Sequence, residues 1–286
     1  MRSATLSLLL VAVAGCAHRP ASGEEGSRLE AIQSGGAAFR VQYWPEDAAA
    51  ARQVKAALAE AVPRATRWGG LSLPVLITIH PSHAALEAAI HREGYGWLRA
   101  WARYATVDLQ SPRTWSLAGG SDAEVMELLA HELTHCAMYQ SAASEWSWPS
   151  RGIPLWFREG MASVSAGQEY KRARPEAIWR YYRDTAGSGD GLGSGGLSGE
   201  PARPSGDPLT DPEPLYQGDS DVVYGTAHWA FRFLVDRYGE DRVRRIVASM
   251  GQGRQFGESF QDAIGIPASG FELDFRRYIV WQGWQR

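Results

Sequence analysis

The chain has 286 residues, of which 44% are hydrophobic and 12 are tryptophan. This composition is typical of a globular protein whose core is large enough for one domain or two joined lobes. The formal net charge of -3 argues against nucleic acid as the partner. Beyond the apolar stretch at residues 6–14, no run is long and apolar enough to cross a membrane.

Residues 1–16 are predicted to be a targeting signal. Arg2 is followed by the apolar stretch Leu6–Ala14, which is too short to span a membrane, and then by Cys16. This pattern resembles a bacterial lipoprotein signal, in which the cysteine is lipidated and becomes the first residue of the mature chain. An ordinary secretory signal is the alternative. The resemblance implies a lipid anchor at Cys16 in the bacterial cell envelope, and the absence of Asp at position 17 implies the periplasmic face of the outer membrane.

The next two regions are predicted to be a tether and a small α/β lobe. Residues 17–36 are small, polar and rich in glycine, as in flexible tethers. Residues 37–121 alternate between strand and helix patterns. The strands are expected at Phe39–Tyr43, Pro74–Ile79 and Tyr104–Leu109, and the helices from Pro45 through about Trp68 and over residues 83–92. Pro63 should kink the first helix or end it early, and Ser82 should cap the second.

Residues 122–185 contain the motif His131-Glu132-Leu133-Thr134-His135. It lies in a predicted helix that begins at Ser121 or Asp122 and runs to about Gln140. Residues four apart lie on one face of a helix, so the two imidazoles can point at one position. A second helix carries Trp156-Phe157-Arg158-Glu159-Gly160.

Two histidines and one carboxylate leave the fourth position of a tetrahedral metal to water, which is the ligand set of a catalytic zinc site. We therefore predict that His131, His135 and Glu159 bind Zn²⁺ and that Glu132 acts on the water as a general base. A surface helix that carries two histidines by chance is the alternative. Cys136 is expected to pack as a small apolar residue, because as a fourth ligand it would close the site to water.

The remainder is predicted to be a long mobile loop at residues 186–221 followed by helices at residues 222–286. The loop contains nine glycines, five prolines, seven acidic residues and one arginine, a composition from which no core can be built. If the loop borders a substrate cleft, its charge would favour basic peptides. Amphipathic helical patterns resume at Val222 and continue to Trp281.

The motifs resemble a known family. Trp156–Ser163 is similar to the Trp-Leu-x-Glu-Gly-x-Ala segment of the peptidase MA-like group of gluzincin metallopeptidases, and Tyr224–Phe231 and Phe260–Gly265 are similar to later segments of that group. The resemblance covers about residues 104–281. It implies an α+β fold over residues 37–286 like the catalytic domain of thermolysin, with a small mixed-sheet lobe followed by a mainly helical lobe.

The resemblance also implies functional roles. His131, His135 and Glu159 match the zinc ligands and Glu132 the catalytic glutamate of an enzyme that hydrolyses peptide or protein substrates. Tyr224 matches a tyrosine that stabilises the developing oxyanion, and His228, one turn further, is the alternative donor. The Gly-x-Met-Glu-Asn segment of related aminopeptidases is absent, which favours internal cleavage. Ser163 stands where thermolysin-like members have an Asp, so no carboxylate is assigned to orient a ligand histidine.

Two other classes of protein remain open from the sequence. One is a zinc-binding envelope lipoprotein with a scaffolding or chaperone role and little or no hydrolysis. The other is a lipid-anchored interaction module in which the histidine motif is vestigial. A vestigial site is expected to lose a ligand or the base, whereas all four residues are present here, and this favours the enzyme.

Overall fold

The computed structural model describes residues 26–186, 206–216 and 218–284. In this part of the chain, five strands form one sheet: β1 (Arg28–Ser34), β2 (Ala37–Tyr43), β3 (Val75–His80), β4 (Ala100–Ala102) and β5 (Thr106–Gln110). The helices are α1 (Ala48–Ala65), α2 (His83–Ile90), α3 (Asp122–Ala142), α4 (Leu155–Ala166), α5 (Pro175–Ala186), α6 (Ser220–Tyr238), α7 (Glu240–Gly251), α8 (Phe256–Ile264) and α9 (Ala268–Trp284). None of the helices within these ranges is both long and apolar enough to span a membrane.

The sheet has the strand order β1-β2-β3-β5-β4. The three predicted strands, β2, β3 and β5, are parallel neighbours at its centre, while β1 and β4 are antiparallel strands at its edges. The predicted architecture of a small mixed sheet followed by a mainly helical region is therefore confirmed. The closer likeness to thermolysin stays a prediction.

Strand β1 lies inside the region that was expected to be a flexible tether. It pairs with β2 from Arg28↔Tyr43 to Ser34↔Ala37. Gly35 and Gly36 form the turn between them with φ values of 56° and 80°, the left-handed conformations that a two-residue hairpin requires. The tether prediction for residues 17–36 is thus wrong at residues 28–34. Residues 17–25 lie outside the described part of the chain, as do Cys16 and the rest of the predicted signal.

The helix termini follow the predicted capping residues. The Ser82 hydroxyl accepts a hydrogen bond from the Ala85 amide at 3.2 Å. Ser121 and Glu124 form a complete capping box at the start of α3, so Ser121 rather than Asp122 is the cap. α1 includes Pro63 and ends at Ala65, two residues after the proline and three before the predicted end at Trp68.

The described residues form two main cores, and α3 belongs to both. Val125, Leu129 and Leu133 pack with the sheet and α1, whereas Met138 and Tyr139 pack with the later helices. The motif at residues 131–135 therefore lies where the two cores meet.

Part of the region predicted to be a mobile loop has a defined structure. Residues 206–216 pack against the helical region, with Leu209 and Leu215 buried and Asp207 paired with Arg276 at 2.9 Å. The prediction of a mobile loop is wrong for these residues, because two leucines in a Gly- and Pro-rich composition suffice to anchor them. Residues 187–205 lie outside the described residues.

Candidate metal centre and active site

The structure brings the three predicted ligand residues together. The nearest carboxylate oxygens of Glu159 lie 3.3 Å from His131 Nε2 and 3.6 Å from His135 Nε2. One ligand atom from each residue lies within 4.8 Å of the other two. Among the described residues, this is the one group of three or more His, Cys, Asp or Glu side chains with such a geometry.

These distances fit a tetrahedral zinc ion. Zinc binds imidazole nitrogen and carboxylate oxygen at about 2.1 Å, so two ligand atoms on a tetrahedron lie about 3.4 Å apart. His131 Nε2 lies 3.3 Å from Oε2 of Glu159 and His135 Nε2 lies 3.6 Å from Oε1, so each nitrogen is close to this separation from one of the two carboxylate oxygens. The three side chains are also largely buried, so they are held in place before a metal binds.

The position of Glu159 is set by the aromatic residues and the glycine around it. Trp156 and Phe157 are fully buried and pack against Phe231 and Phe271 in the helical core. A Cβ atom at Gly160 would overlap the carbonyl oxygen of Ala227 and the side chain of Phe231. The Trp-Phe-x-Glu-Gly sequence therefore lets α4 approach α6 closely and fixes the face that carries the carboxylate.

Gln168 orients the first ligand histidine. Its Oε1 atom lies 3.0 Å from His131 Nδ1 and also accepts a hydrogen bond from Arg172 Nη2. An amide oxygen only accepts, so Nδ1 carries a proton and Nε2 is the nitrogen left to bind a metal. The sequence did not indicate this role, because a Gln 37 residues after a histidine carries no motif. The buried Nδ1 atom of His135 has no hydrogen-bond partner in the described residues.

The short 3-10 turn that carries Gln168 is fastened to α3. Tyr170 donates a hydrogen bond of 2.6 Å to Glu127, and Lys171 forms an ion pair of 2.6 Å with the same carboxylate. Glu127 lies one turn before His131 and is buried. Together with the contact between Gln168 and His131, these two contacts hold the turn against the ligand helix.

Glu132 lies beside the cluster, in the wall of a cavity of about 580 Å³. Burial raises the pKa of Glu132, and the two ligand imidazoles only partly oppose this effect. Burial also acts to raise the pKa of Glu159, but the imidazoles of His135 and His131 outweigh it and hold that pKa well below its usual range. The pKa of Glu132 is thus raised and that of the neighbouring Glu159 is lowered. Such a difference suits an acid–base residue beside a metal ligand.

The two predicted oxyanion donors occupy different places. Tyr224 lines the cavity with Glu132 and Glu159, and burial raises its pKa, so its hydroxyl remains protonated. His228 is not among the residues that line the cavity. It is buried, and its Nδ1 lies 2.9 Å from the hydroxyl of Ser163. The structure therefore brings Tyr224, but not His228, to the cavity.

Ser163 and Cys136 also have structural contacts. The Ser163 hydroxyl accepts a hydrogen bond of 2.9 Å from Arg172 Nε in addition to contacting His228, so it takes part in a polar network behind the ligands. Cys136 is a free, buried cysteine whose Sγ lies 3.2 Å from the carbonyl oxygen of Arg103. It packs away from the cluster, and burial raises the pKa of its thiol.

Comparison with known proteins gives structural likeness without sequence likeness. No family model matches the chain, and no curated protein is similar to it in sequence. Among solved structures, an aminopeptidase A of Legionella pneumophila in complex with aspartic acid is 14% identical, with a TM-score of 0.50 over 87% of this chain and 27% of that chain. An M1 zinc metallopeptidase of Deinococcus radiodurans is 15% identical, with a TM-score of 0.42 over 89% of this chain and 51% of that chain.

The likeness to the aminopeptidase A shows that this chain shares the fold of the matched part of that structure. The chain spans only about a quarter to a half of the length of the two proteins, and at this level of identity the likeness concerns the fold alone.

Proposed function

We propose that this protein is a zinc-dependent peptidase that cleaves peptide bonds within a chain. The observation that carries the proposal is the convergence of His131, His135 and Glu159 beside Glu132, in the wall of a cavity of about 580 Å³. A structural zinc site is closed by four protein ligands, whereas a catalytic site keeps one position open. Three ligands that face a cavity fit the catalytic case.

The residues of the chain supply proton transfer and charge stabilisation. Bound to the three ligands, Zn²⁺ would supply a Lewis acid that activates water and polarises the scissile carbonyl group. Glu132, whose pKa is raised by burial, accepts the proton of the attacking water and delivers it to the leaving nitrogen. The protonated hydroxyl of Tyr224 donates a hydrogen bond to the oxyanion as it develops.

One wall of the cavity suits an extended peptide. Strand β4 is the last strand of the sheet, and its residues Ala100, Trp101 and Ala102 line the cavity. Its outer edge has no strand partner in the described part of the chain. Backbone N–H and C=O groups at such an edge can pair with a substrate in strand conformation, which places a peptide bond of the substrate next to Glu132.

We further propose that the enzyme acts in the bacterial cell envelope, tethered by lipid on Cys16 to the periplasmic face of the outer membrane. This part of the proposal rests on the sequence pattern of residues 1–16 alone. Mass spectrometry of the chain isolated from a bacterial host should find a diacylglyceryl group on Cys16. Finding the unmodified thiol on an otherwise processed chain would reject the anchor.

The test of the enzyme is the substitution Glu132→Gln in the chain that lacks residues 1–16. It should retain about one Zn²⁺ per chain and lose peptide hydrolysis, because an amide cannot accept the proton. Glu258→Gln is the matched control, since Glu258 is exposed on α8 away from the cavity. Hydrolysis that survives Glu132→Gln would reject the mechanism, and a biological effect that survives without hydrolysis would favour the scaffolding alternative.

The position of cleavage is tested with blocked peptides. A library of peptides with acetylated N-termini and amidated C-termini should be cut as well as the free peptides if cleavage is internal. Cleavage that requires a free amino group would replace this proposal with an aminopeptidase, and Asp221, the remaining carboxylate in the described lining of the cavity, would then be the candidate to bind that group.

A further inference from the structure

The cavity beside the metal ligands has more cationic than anionic side chains in its described lining. Its charged residues, histidines apart, are four arginines and three carboxylates: Arg99, Arg103, Arg158 and Arg172, and Glu132, Glu159 and Asp221. In the proposed function, on which this inference rests, two of the three carboxylates already have roles as base and metal ligand. Which of the arginines is available to a ligand of opposite charge depends on the contacts that each makes within the protein.

Among the described residues, no carboxylate is paired directly with Arg158. Its buried Nε atom has no hydrogen-bond partner, and the group beside its guanidinium is the hydroxyl of Tyr139. Glu159 attracts the guanidinium from a distance, but its two oxygens face His131 and His135. A partly buried guanidinium remains charged at any pH relevant to proteins, and leaving it without an anion is costly.

Arg172 is different, because its donors are in use. Its Nε atom donates to Ser163 and its Nη2 atom to Gln168, and the guanidinium lies 5.5 Å from the centre of the Tyr224 ring. Its contacts explain its position as part of the support for His131. Of the other two cavity arginines, Arg99 donates to Gln110 at 2.9 Å and Arg103 is exposed. Arg158 is thus the cavity arginine with a buried donor that no described residue accepts from.

Arg158 lies beside an aromatic pair in the lining of the cavity. Tyr139 is adjacent to the guanidinium, and its ring stacks on Trp148 at a centroid distance of 4.0 Å. Burial raises the pKa of Tyr139 to about 12, and the adjacent Arg158 guanidinium opposes the rise. A protonated hydroxyl and a guanidinium side by side offer several donors and, between them, no competing negative charge.

We propose that Arg158 binds a carboxylate of the substrate, so that the preferred substrates are peptides with a negative charge close to the scissile bond. A guanidinium and a carboxylate form two parallel charge-assisted hydrogen bonds. The cavity, at about 580 Å³, holds only a few residues, each about 3.5 Å long when extended. The carboxylate is therefore either an Asp or Glu side chain next to the cleaved bond or the C-terminus of a short leaving segment.

This preference is the reverse of the preference for basic peptides that the composition of residues 186–221 suggested. Five of the seven acidic residues of this region lie in the described structure, but only one of them, Asp221, lines the cavity. Among the described residues, the lining of the cavity favours acidic peptides.

The test measures peptide binding to the zinc-loaded Glu132→Gln chain, which holds substrate without cleaving it. Peptides of one sequence carry Glu or Gln next to the cleaved bond, each with a free or an amidated C-terminus. We expect a Kd about ten- to hundredfold lower for a peptide with the recognised carboxylate. A gain from Glu identifies a side-chain carboxylate, and a gain from the free C-terminus identifies a terminal carboxylate. Equal affinities for all four peptides would overturn the proposal.

The variants show whether Arg158 is responsible. Arg158→Gln in the same background should abolish the preference while binding of the neutral peptide is retained, and Arg180→Gln on the exposed face of α5 is the matched control for loss of one positive charge. Arg158→Lys keeps the charge without the two-pronged geometry and should leave only a severalfold preference. If Arg158→Gln loses its zinc, the peptide preference of Arg158→Lys is the result that tests the proposal. An undiminished preference in either Arg158 variant overturns the proposal.

Binding and hydrolysis separate the two proposals. If the wild-type chain hydrolyses none of the peptides but binds acidic peptides through Arg158, the proposed peptidase function fails and the carboxylate site stands. If the wild-type chain cleaves acidic and neutral peptides with the same kcat/KM, the peptidase function stands and the carboxylate site fails.

Discussion

The burial of His228 should make the folded protein less stable in mild acid. Burial, together with the positive charges of Arg172 and Arg232, lowers the pKa of His228 from 6.5 to about 4. Between these two pH values the unfolded chain binds a proton at this residue and the folded chain does not. The unfolded state therefore gains free energy from protonation as the pH falls, and the free energy of unfolding decreases.

The size of the effect follows from the two pKa values. One pKa unit corresponds to about 1.4 kcal/mol. With the proton uptake of both states included, His228 should reduce the free energy of unfolding by about 2 kcal/mol between pH 7 and pH 5. The stability lost in this interval returns as the pH is raised, because the unfolded chain releases its proton above pH 6.5.

Urea unfolding of the wild-type chain and of His228→Gln at pH 7 and pH 5 measures this contribution. Glutamine does not titrate and can still form a hydrogen bond with Ser163. The stability of the wild-type chain should fall by about 2 kcal/mol more than that of the variant. Losses shared by both chains, including protonation of the metal ligands, cancel in this comparison. Equal losses in the two chains would refute the assigned environment of His228.

Three further substitutions test other contacts. Gln168→Ala removes the acceptor of His131 Nδ1 and should weaken Zn²⁺ binding about 10- to 100-fold in a competition with a chelator; an unchanged affinity would show that Gln168 does not orient the ring. Gly160→Ala places a methyl group against α6 and should lower the free energy of unfolding in urea by about 1–3 kcal/mol. Gly257→Ala on α8, where a Cβ atom meets nothing, is the control and should cause no such loss. Similar losses in the two variants would contradict the close packing of α4 on α6. Tyr224→Phe should lower kcat about 100-fold with little change in KM, and a loss confined to KM would assign Tyr224 to substrate binding instead.

The features that the sequence predicted well are those encoded within a few neighbouring residues. The helical spacing of His131 and His135 and the start of their helix at Ser121 depend on local geometry, and all three residues lie where expected. The hairpin of β1 and β2 was also encoded locally, by Gly35-Gly36 between two alternating segments. It was missed because the glycine content was interpreted as flexibility rather than as a turn.

The features that were not predictable depend on contacts between distant residues. Gln168 reaches His131 only because Tyr170 and Lys171 fasten its turn to Glu127, 43 and 44 positions away in the sequence. Arg158 was visible in the sequence as the unspecified residue before Glu159, but its lack of a counter-ion depends on every charged group around it. No periodicity or spacing contains this information, since it arises when the two cores pack.

Because α3 belongs to both cores, the unfolding of the two lobes should depend on the metal. The turn with both imidazoles is held on one side by the sheet lobe and on the other by the helices that carry Glu159. If either lobe unfolds, the ligand atoms that a bound cation would hold together are separated. Metal binding should therefore stabilise both lobes against unfolding. Loading with metal should merge the melting of the two lobes into one cooperative transition at a higher temperature.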